Sequence, residues 1–524
     1  MKNKNKILKI TGIAIAVVVT IVIVAAFLFS HLVNQQIENA KLGSFEMKNE
    51  KVETNLLKRQ IILTNTKITA NNSKSNITVP KAKITGIKLF HLLLKGELAI
   101  RHFDLSGSTV YLYKQKQQNK ASANTNPKDS SGSKNRTIKI NHVDISDVEF
   151  HYLTIKENKP DTLFSTLIDV DMYNLNTDSS ATSSYYSSFF SFDAINFIAK
   201  KGALSVGEGI YSLTFNTLKF DSEHPDLKVS QTKFFSPYSR YEIGQQTGVE
   251  TDWYDIEIDD IELNDIRLQK LLRDTVLIFS HSSISGLDAN IFRDKRLPFP
   301  EKPDTKLPAE LVQSIPFAIR SDSLVISKAN IVFEEHGEES EDAGFVTFNN
   351  LYAKLENISN SDSLQKQPMK LAASADVMNK AKLNVNFVFT APALKQPSKV
   401  SGSLKPVKFS AFNPMLKPYV GVNIQSGEIR QLDFNFGYTN FQSNGDIIFE
   451  YDNLDFVMFN KKNNSKKLVF TFLANTFVVS KQNLPENDSY KKGEILHERN
   501  PKKSVFSYWW KSLMNGIKSI AITV

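Results

Sequence analysis

Histidine is the first residue type to weigh, because imidazole serves both as a metal ligand and as a general base. The chain has nine: His31, His91, His102, His142, His151, His224, His281, His336 and His497. No two stand at the i, i+4 spacing of a helical metal site, and no HExxH run occurs. His142 and His151 fall in one predicted strand at odd spacing, which predicts opposite faces. Metal chemistry is not expected from this pattern. The acid run Glu334-Glu335-His336-Gly337-Glu338-Glu339, with Glu341 and Asp342, lacks the alternating ligands of a calcium loop and predicts a solvated hairpin tip. The acids between Asp252 and Asp265 mostly alternate with Ile256, Ile258, Ile261 and Leu263, the pattern of a strand's wet face. Gly207-Glu208-Gly209 has neither the third glycine nor the helix of a phosphate cradle. No G-x-S-x-G elbow is present, and no cysteine. That excludes a disulfide framework, a thiolate zinc site and a cysteine nucleophile. A non-enzyme without a cofactor is the expectation.

The elements that would position any site are mostly strands. Alternation is clear in Leu98–Leu105, Ile138–Tyr152, Ile256–Leu263, Leu383–Phe389, Leu432–Phe436 and Ile447–Tyr451. Helical periodicity is confined to Leu89–Leu94, Leu268–Leu272, the stretch after residue 30 and the C-terminus. With 524 residues, 41% of them hydrophobic, the chain can build large cores. Its charge of +9 is too diffuse for a nucleic-acid binder. Lys2, Lys4, Lys6 and Lys9 precede Ile10–Phe29, which is uncharged. Twenty residues of helix span about 30 Å, a bilayer core. The run ends Phe27-Leu28-Phe29 and lacks a small-x-small cleavage site, so an uncleaved anchor is expected. The basic tail, residues 1–9, stays in the cytoplasm and the bulk of the chain lies outside.

A duplication emerges at an offset of 179 residues. KLFHLLLKGELAI (88–100) matches RLQKLLRDTVLIF (267–279) without a gap. Leu98 aligns with Leu277, Leu105 with Ile284, and Gly107 with Gly286. Each copy leads into a loop unable to form a core, Lys114–Arg136 and Arg293–Leu307, then into a new strand pair at 137–150 and 317–333. A duplicated β unit points to an extended, repeat-built sheet.

Asn55-Leu56-Leu57 followed by IILTNTKI (61–68), and the unit LLLKGELAIRHFDLSGSTVYLY (92–113), resemble elements of AsmA-like proteins. FNPMLKPYVGVNIQSGEIRQLDF (412–434) and NGDIIFEYDNLDF (444–456) are similar as well, at Asn413-Pro414, Ser426-Gly427 and Tyr451 to Leu454. The resemblance covers most of the chain, least so residues 155–250. It implies an anchored inner-membrane, periplasmic protein of the bridge-like lipid-transfer group that includes TamB. The implied fold is mainly β, an elongated, curved, groove-forming sheet with internal duplication, few short helices and one N-terminal transmembrane helix.

A sheet face that is apolar along its length needs cover in water. Acyl chains of glycerophospholipids can supply it at roughly 25 cal/mol per Å² buried. The lipid-contact candidates are Leu98, Ile100, Ile138, Ile140, Ile256, Ile258, Phe434, Phe436, Ile447 and Phe449. The same residues can instead pack against a partner sheet in a sandwich core. At the C-terminus, Phe506, Trp509, Trp510, Leu513, Met514 and Ile517 recur at helical spacing, with Lys502, Lys503, Lys511 and Lys518 nearby. That helix either plugs the groove or lies at a membrane interface. The expected order is tail 1–9, anchor 10–29, first repeat unit 30–155, variable β region 156–250, second repeat unit 251–362, C-terminal β region 363–500 and amphipathic helix 501–524. The expected function is phospholipid binding or transfer in the cell envelope. The alternative is a non-catalytic assembly or scaffold factor acting through envelope protein partners.

Overall fold

The computed structural model describes residues 39–42, 45–55, 57–71, 73–88, 97–114, 137–177, 183–187, 190–361, 367–391, 396–458 and 478–523. The expected tail, anchor and leucine-rich turn at 89–94 lie outside them, as do most of 114–136. The described chain is mainly β, with a large mixed sheet and few helices.

The strands run β1 (Asn39–Leu42), β2 (Phe45–Lys48), β3 (Lys51–Asn55), β4 (Gln60–Ala70), β5 (Asn76–Thr85), β6 (Leu98–Ser106), β7 (Thr109–Tyr113), β8 (Ile138–Lys156), β9 (Lys159–Asn176), β10 (Tyr185–Tyr186), β11 (Ser191–Phe192), β12 (Ala194–Val206), β13 (Tyr211–Asp221) and β14 (Asp226–Phe235). Next come α1 (Glu242–Thr247), β15 (Asp252–Leu263), α2 (Leu268–Asp274), β16 (Val276–Asp294), α3 (Pro308–Gln313), β17 (Ala318–His336), β18 (Gly344–Ser359), β19 (Met369–Val377), β20 (Ala381–Phe389), β21 (Ser398–Leu404) and β22 (Val407–Lys408). The last elements are α4 (Asn413–Val420), β23 (Val422–Tyr438), β24 (Gln442–Met458), β25 (Val478–Val479), β26 (Gly493–Glu498), α5 (Val505–Ala521) and β27 (Ile522–Thr523).

Two compact units form. The first holds the chain up to Gly209 with Leu213–Ser230 and Asn264–Ile278; the second holds Ile210–Ser212, Gln231–Leu263 and the chain from Phe279 on. In the first, β8 lies parallel to β6, with Leu98 opposite Ile138 and Ile100 opposite Ile140. Parallel neighbours cannot be joined by a tight turn, and β6 ends at Ser106 while β8 begins only at Ile138. The apolar faces of β4, β5, β6, β8 and β9 close over one another, joined by Leu268, Leu271 and Leu272 of α2. The second unit has its own core on β19–β24, β26 and α5.

Long strands are interrupted by residues in left-handed backbone, including Asp147 on β8, Lys328 on β17 and Asn350 on β18. The pairing register shifts at each of these, as at a β-bulge. On β8, Val143 and Ile145 are buried before the bulge, and Val148 and Phe150 after it. This overturns the parity expected for His142 and His151. Each adjoins a buried residue, Val143 or Phe150, so both stand on the opposite, outer face. The irregularity at Asp147 cancels the odd spacing.

The 179-residue offset also appears in hydrogen-bonding register. Lys81 lies opposite Ser106 and Ala82 opposite Leu105 in one copy, Asp260 opposite Ser285 and Ile261 opposite Ile284 in the other. The aligned glycines share left-handed backbone, φ 63° at Gly107 and 67° at Gly286.

Helix α5 begins where the Ser504 hydroxyl accepts the Ser507 N–H at 3.2 Å. Tyr508, Ser512, Gly516 and Ile520 recur every four residues, and all four are buried against the sheet. Two glycines allow the close approach. A Cβ on Gly493 would lie 2.7 Å from the Gly516 carbonyl oxygen, and one on Gly516 2.7 Å from Ile447 and Ile495. The helix also satisfies the outer edge of β26. Leu496 N–H donates to Asn515 Oδ1 at 2.8 Å, and Glu494 N–H to Ser519 Oγ at 3.1 Å. An otherwise open strand edge is thereby blunted. We expect Gly516→Val to cost about 1–3 kcal/mol by overpacking, read as a lower melting temperature and faster proteolysis near residue 500. A neutral substitution would mean that α5 is not docked through this contact.

Candidate functional site

The second unit carries two apolar rows that cross its strands. Directly paired residues share a sheet face. Leu324 of β17 pairs with Leu355, then Leu371, Phe387, Val400 and Phe436 follow across β19, β20, β21 and β23. The adjacent row runs Ile326, Ala353, Ala373, Val385, Gly402, Phe434 and Ile447. Neither row contains a polar side chain. Gly402 keeps the second row level, since a Cβ there would meet the Phe434 ring at 2.4 Å.

Cover over these rows changes along them. Val400 and Phe436 are each 2% exposed, whereas Leu324, Leu355 and Leu371 are only half-buried. Helix α5 makes the difference. Trp509 packs on Phe387 with ring centroids 4.6 Å apart and on Tyr438 at 5.8 Å. Phe506 reaches Phe333 at 6.0 Å and Phe348 at 6.5 Å, yet stays 47% exposed, and Trp510 one turn on is 46% exposed. Leu513, Met514 and Ile517 are half-buried on the same helix. The apolar surface of β17–β19 thus continues past the helix without full cover.

Ten residues were expected to contact lipid, and eight of them lie inside cores. Leu98, Ile100, Ile138 and Ile140 are at most 6% exposed in the first unit, as are Phe434, Phe436, Ile447 and Phe449 in the second. They belong to the apolar clusters of the two units. Ile256 and Ile258 are half-buried on β15, opposite Ala289 and Leu287. The less covered residues that sequence reasoning missed are Leu324, Leu355, Leu371 and Phe348. Only Leu324 falls in a stretch read as strand, 317–333, and no local pattern shows which part of the face a helix covers.

A polar rim ends the apolar face of β15–β17. Asp252 lies opposite Arg293, and two residues on Tyr254 lies opposite Ile291 on the same face. Arg293 donates to both Asp252 oxygens at 2.6 and 2.8 Å. Burial works against the Arg293 charge, but the Asp252 carboxylate outweighs it and holds the guanidinium firmly protonated. Lys295 binds Glu335 at 2.6 Å and the Tyr419 hydroxyl at 3.0 Å. The acid run was expected to be solvated, yet Glu335 and His336 are 5% and 4% exposed. They close β17, where Lys295, Tyr241 and the Ser340 carbonyl satisfy them. Only the turn beyond, from Glu338, is open. Burial pushes the Tyr211 phenol up to about 12 and raises Tyr254 as well. Burial also raises the Glu250 carboxyl above its ordinary value, against the pull of Lys503 and Arg293.

No protein-family model and no curated protein matches the chain. Among the described residues no helix is long and apolar enough to cross a membrane.

A raised folded-state carboxyl favours the protonated form, so its contribution to stability is present at low pH and lost as pH rises through the folded pKa. Ionised Glu250 therefore destabilises the fold near neutrality. We expect Glu250→Gln to raise the melting temperature near pH 7 and to leave it unchanged near pH 4, where the wild-type carboxyl is itself largely protonated. An equal effect at both pH values would exclude ionisation as the cause.

Proposed function

We propose that this chain is an inner-membrane-anchored periplasmic protein of the AsmA-like kind. It binds or transfers phospholipid between envelope membranes, with acyl chains lying on an elongated, curved, groove-forming sheet. The observation that carries this reading is the pair of unbroken apolar rows from Leu324 and Ile326 to Phe436 and Ile447. A polar break would stop an aliphatic chain from sliding, and these rows contain none. The half-buried stretch at Leu324, Leu355 and Leu371 supports acyl contact there, because apolar surface left open to water is costly. A hydrocarbon ligand needs no catalytic group, which fits a long chain without a catalytic motif. The basic tail and Ile10–Phe29 support the anchor and its orientation. Helix α5, which covers one end of the rows, supports its reading as a plug.

Photo-crosslinking in the full-length, membrane-extracted protein tests this. A benzophenone side chain at Leu324 or Leu371 should label phospholipid, and one at Ile140, inside the first unit's core, should not. Native mass spectrometry should find phospholipid stoichiometric with the chain. Leu371→Asp should reduce it about tenfold, roughly 1.4 kcal/mol for a carboxylate set against an acyl chain. A lipid-free, cooperatively melting protein without label would favour the assembly or scaffold role through protein partners.

A further inference from the structure

Arg499 follows β26 in the second unit and is 8% exposed, so its guanidinium is a buried charge. Its neighbours do not neutralise it. Nη1 donates to the Asn440 side-chain carbonyl and Nη2 to the Thr305 carbonyl, both uncharged acceptors. Nε, shielded from water, has no partner. Among the described residues the guanidinium forms no ion pair. Arg293, by contrast, is held by Asp252. A buried charge without a counter-ion is costly, and arginine cannot relieve that cost by losing its proton.

The same side chain lines a cavity of about 530 Å³. Its walls come from the turn between β23 and β24, the segment before α3 and the chain leaving β26. Backbone bonds hold these walls together. Arg499 N–H donates to the Phe441 carbonyl at 2.7 Å, and Thr305 N–H to the Pro501 carbonyl at 2.7 Å. Two of the wall acids are already engaged. Glu310 accepts the Asn440 amide at 2.6 Å and the Leu307 N–H at 2.8 Å, and Asp304 pairs with Lys502 at 2.8 Å. Exposed Lys306 adds a second cation to the wall. One side of the rim is apolar. Phe441 is 80% exposed, and Leu496, 60% exposed, lies two residues before Glu498 on the same face of β26.

We infer that this cleft captures the C-terminal carboxylate of a partner polypeptide that ends in an apolar residue. The carboxylate meets Arg499, and the apolar side chain rests on Phe441. A planar carboxylate matches the edge of a guanidinium. Asn440, exposed and uncharged, is the acceptor it displaces. Exposed Glu498 in the wall counts against a dianion such as phosphate. An apolar last residue takes the Phe441 ring out of water. Capture of a chain end by its carboxylate is a recurrent mode of peptide recognition. The inference does not rest on the lipid reading.

Isothermal titration calorimetry on the full-length, membrane-extracted protein tests the site, with N-acetyl-Ala-Ala-Phe, its C-terminal amide and inorganic phosphate as probes. We expect one free-acid peptide bound per chain, and binding of the amide and of phosphate at least about tenfold weaker. Arg499→Met should abolish binding. Phe441→Ala should weaken it roughly three- to tenfold without lowering the melting temperature, since the ring stands in solvent. If Arg499→Met fails to fold, the difference between acid and amide and the Phe441→Ala variant decide. Equal binding of acid and amide would overturn the inference. So would binding unchanged in folded Arg499→Met, phosphate bound as tightly as the peptide, or no binding of the peptide at about 1 mM. None of these outcomes bears on lipid at Leu324 or Leu371.

Discussion

Covering the apolar side of a sheet is the constraint on which the rest of this structure depends. Period-two alternation puts every second side chain on one face, and that face cannot stay in water without cost. The chain meets the constraint in different ways. In the first unit the strands from β4 to β9 bury one another's apolar residues, and α2 adds three leucines. In the second unit α5 lies over the ends of the rows, with Tyr508 and Ile520 fully inserted. Between that cover and β17 the rows remain half-open. This partial cover distinguishes Leu324 and Leu371 from Phe434 and Phe436, although all four belong to the same kind of alternating strand.

Left-handed residues give the long strands their usable geometry. An α-left residue inside a strand bends it and re-aims the side chains that follow. Asp147 does this on β8, as Lys328 and Asn350 do on β17 and β18. Such positions favour glycine, asparagine and aspartate, but a lysine fills the one on β17, so the pattern is hard to see by eye. Gly107 and Gly286, 179 residues apart, share left-handed backbone with nearly equal φ. The arrangement of the outer face depends on these bends. The bulge at Asp147 sets His151 on the same face as His142, beside Tyr111.

Helix α5 combines several roles because two glycines let it sit close. With Gly493 and Gly516 face to face, its hydroxyl and amide side chains reach the backbone of β26, while its aromatic residues cross to β20 and β23. At the far end of the apolar face, ion pairs at Asp252–Arg293 and Lys295–Glu335 mark where apolar packing stops. Burying charge is tolerated there because each partner is satisfied.

The mainly β character was legible in the alternation of Leu98–Leu105, Ile138–Tyr152 and Ile447–Tyr451. The 179-residue offset read in the sequence reappears in the pairing of β5 with β6 and of β15 with β16. The C-terminal helix was legible from spacing alone. Periodicity is a local property, and sequence carries it. Which apolar residues would be covered was not legible. Ile140 and Leu371 have the same local signal, but one lies in a closed core and the other is only half-buried. The meeting of His102 with His142 was equally hidden, since it requires parallel pairing across a crossover. Glu335 and His336 looked solvated until ion pairing and β17 enclosed them. Contacts between distant strands, and residues that break a strand's parity, depend on the whole chain's packing, so only the tertiary structure decided them.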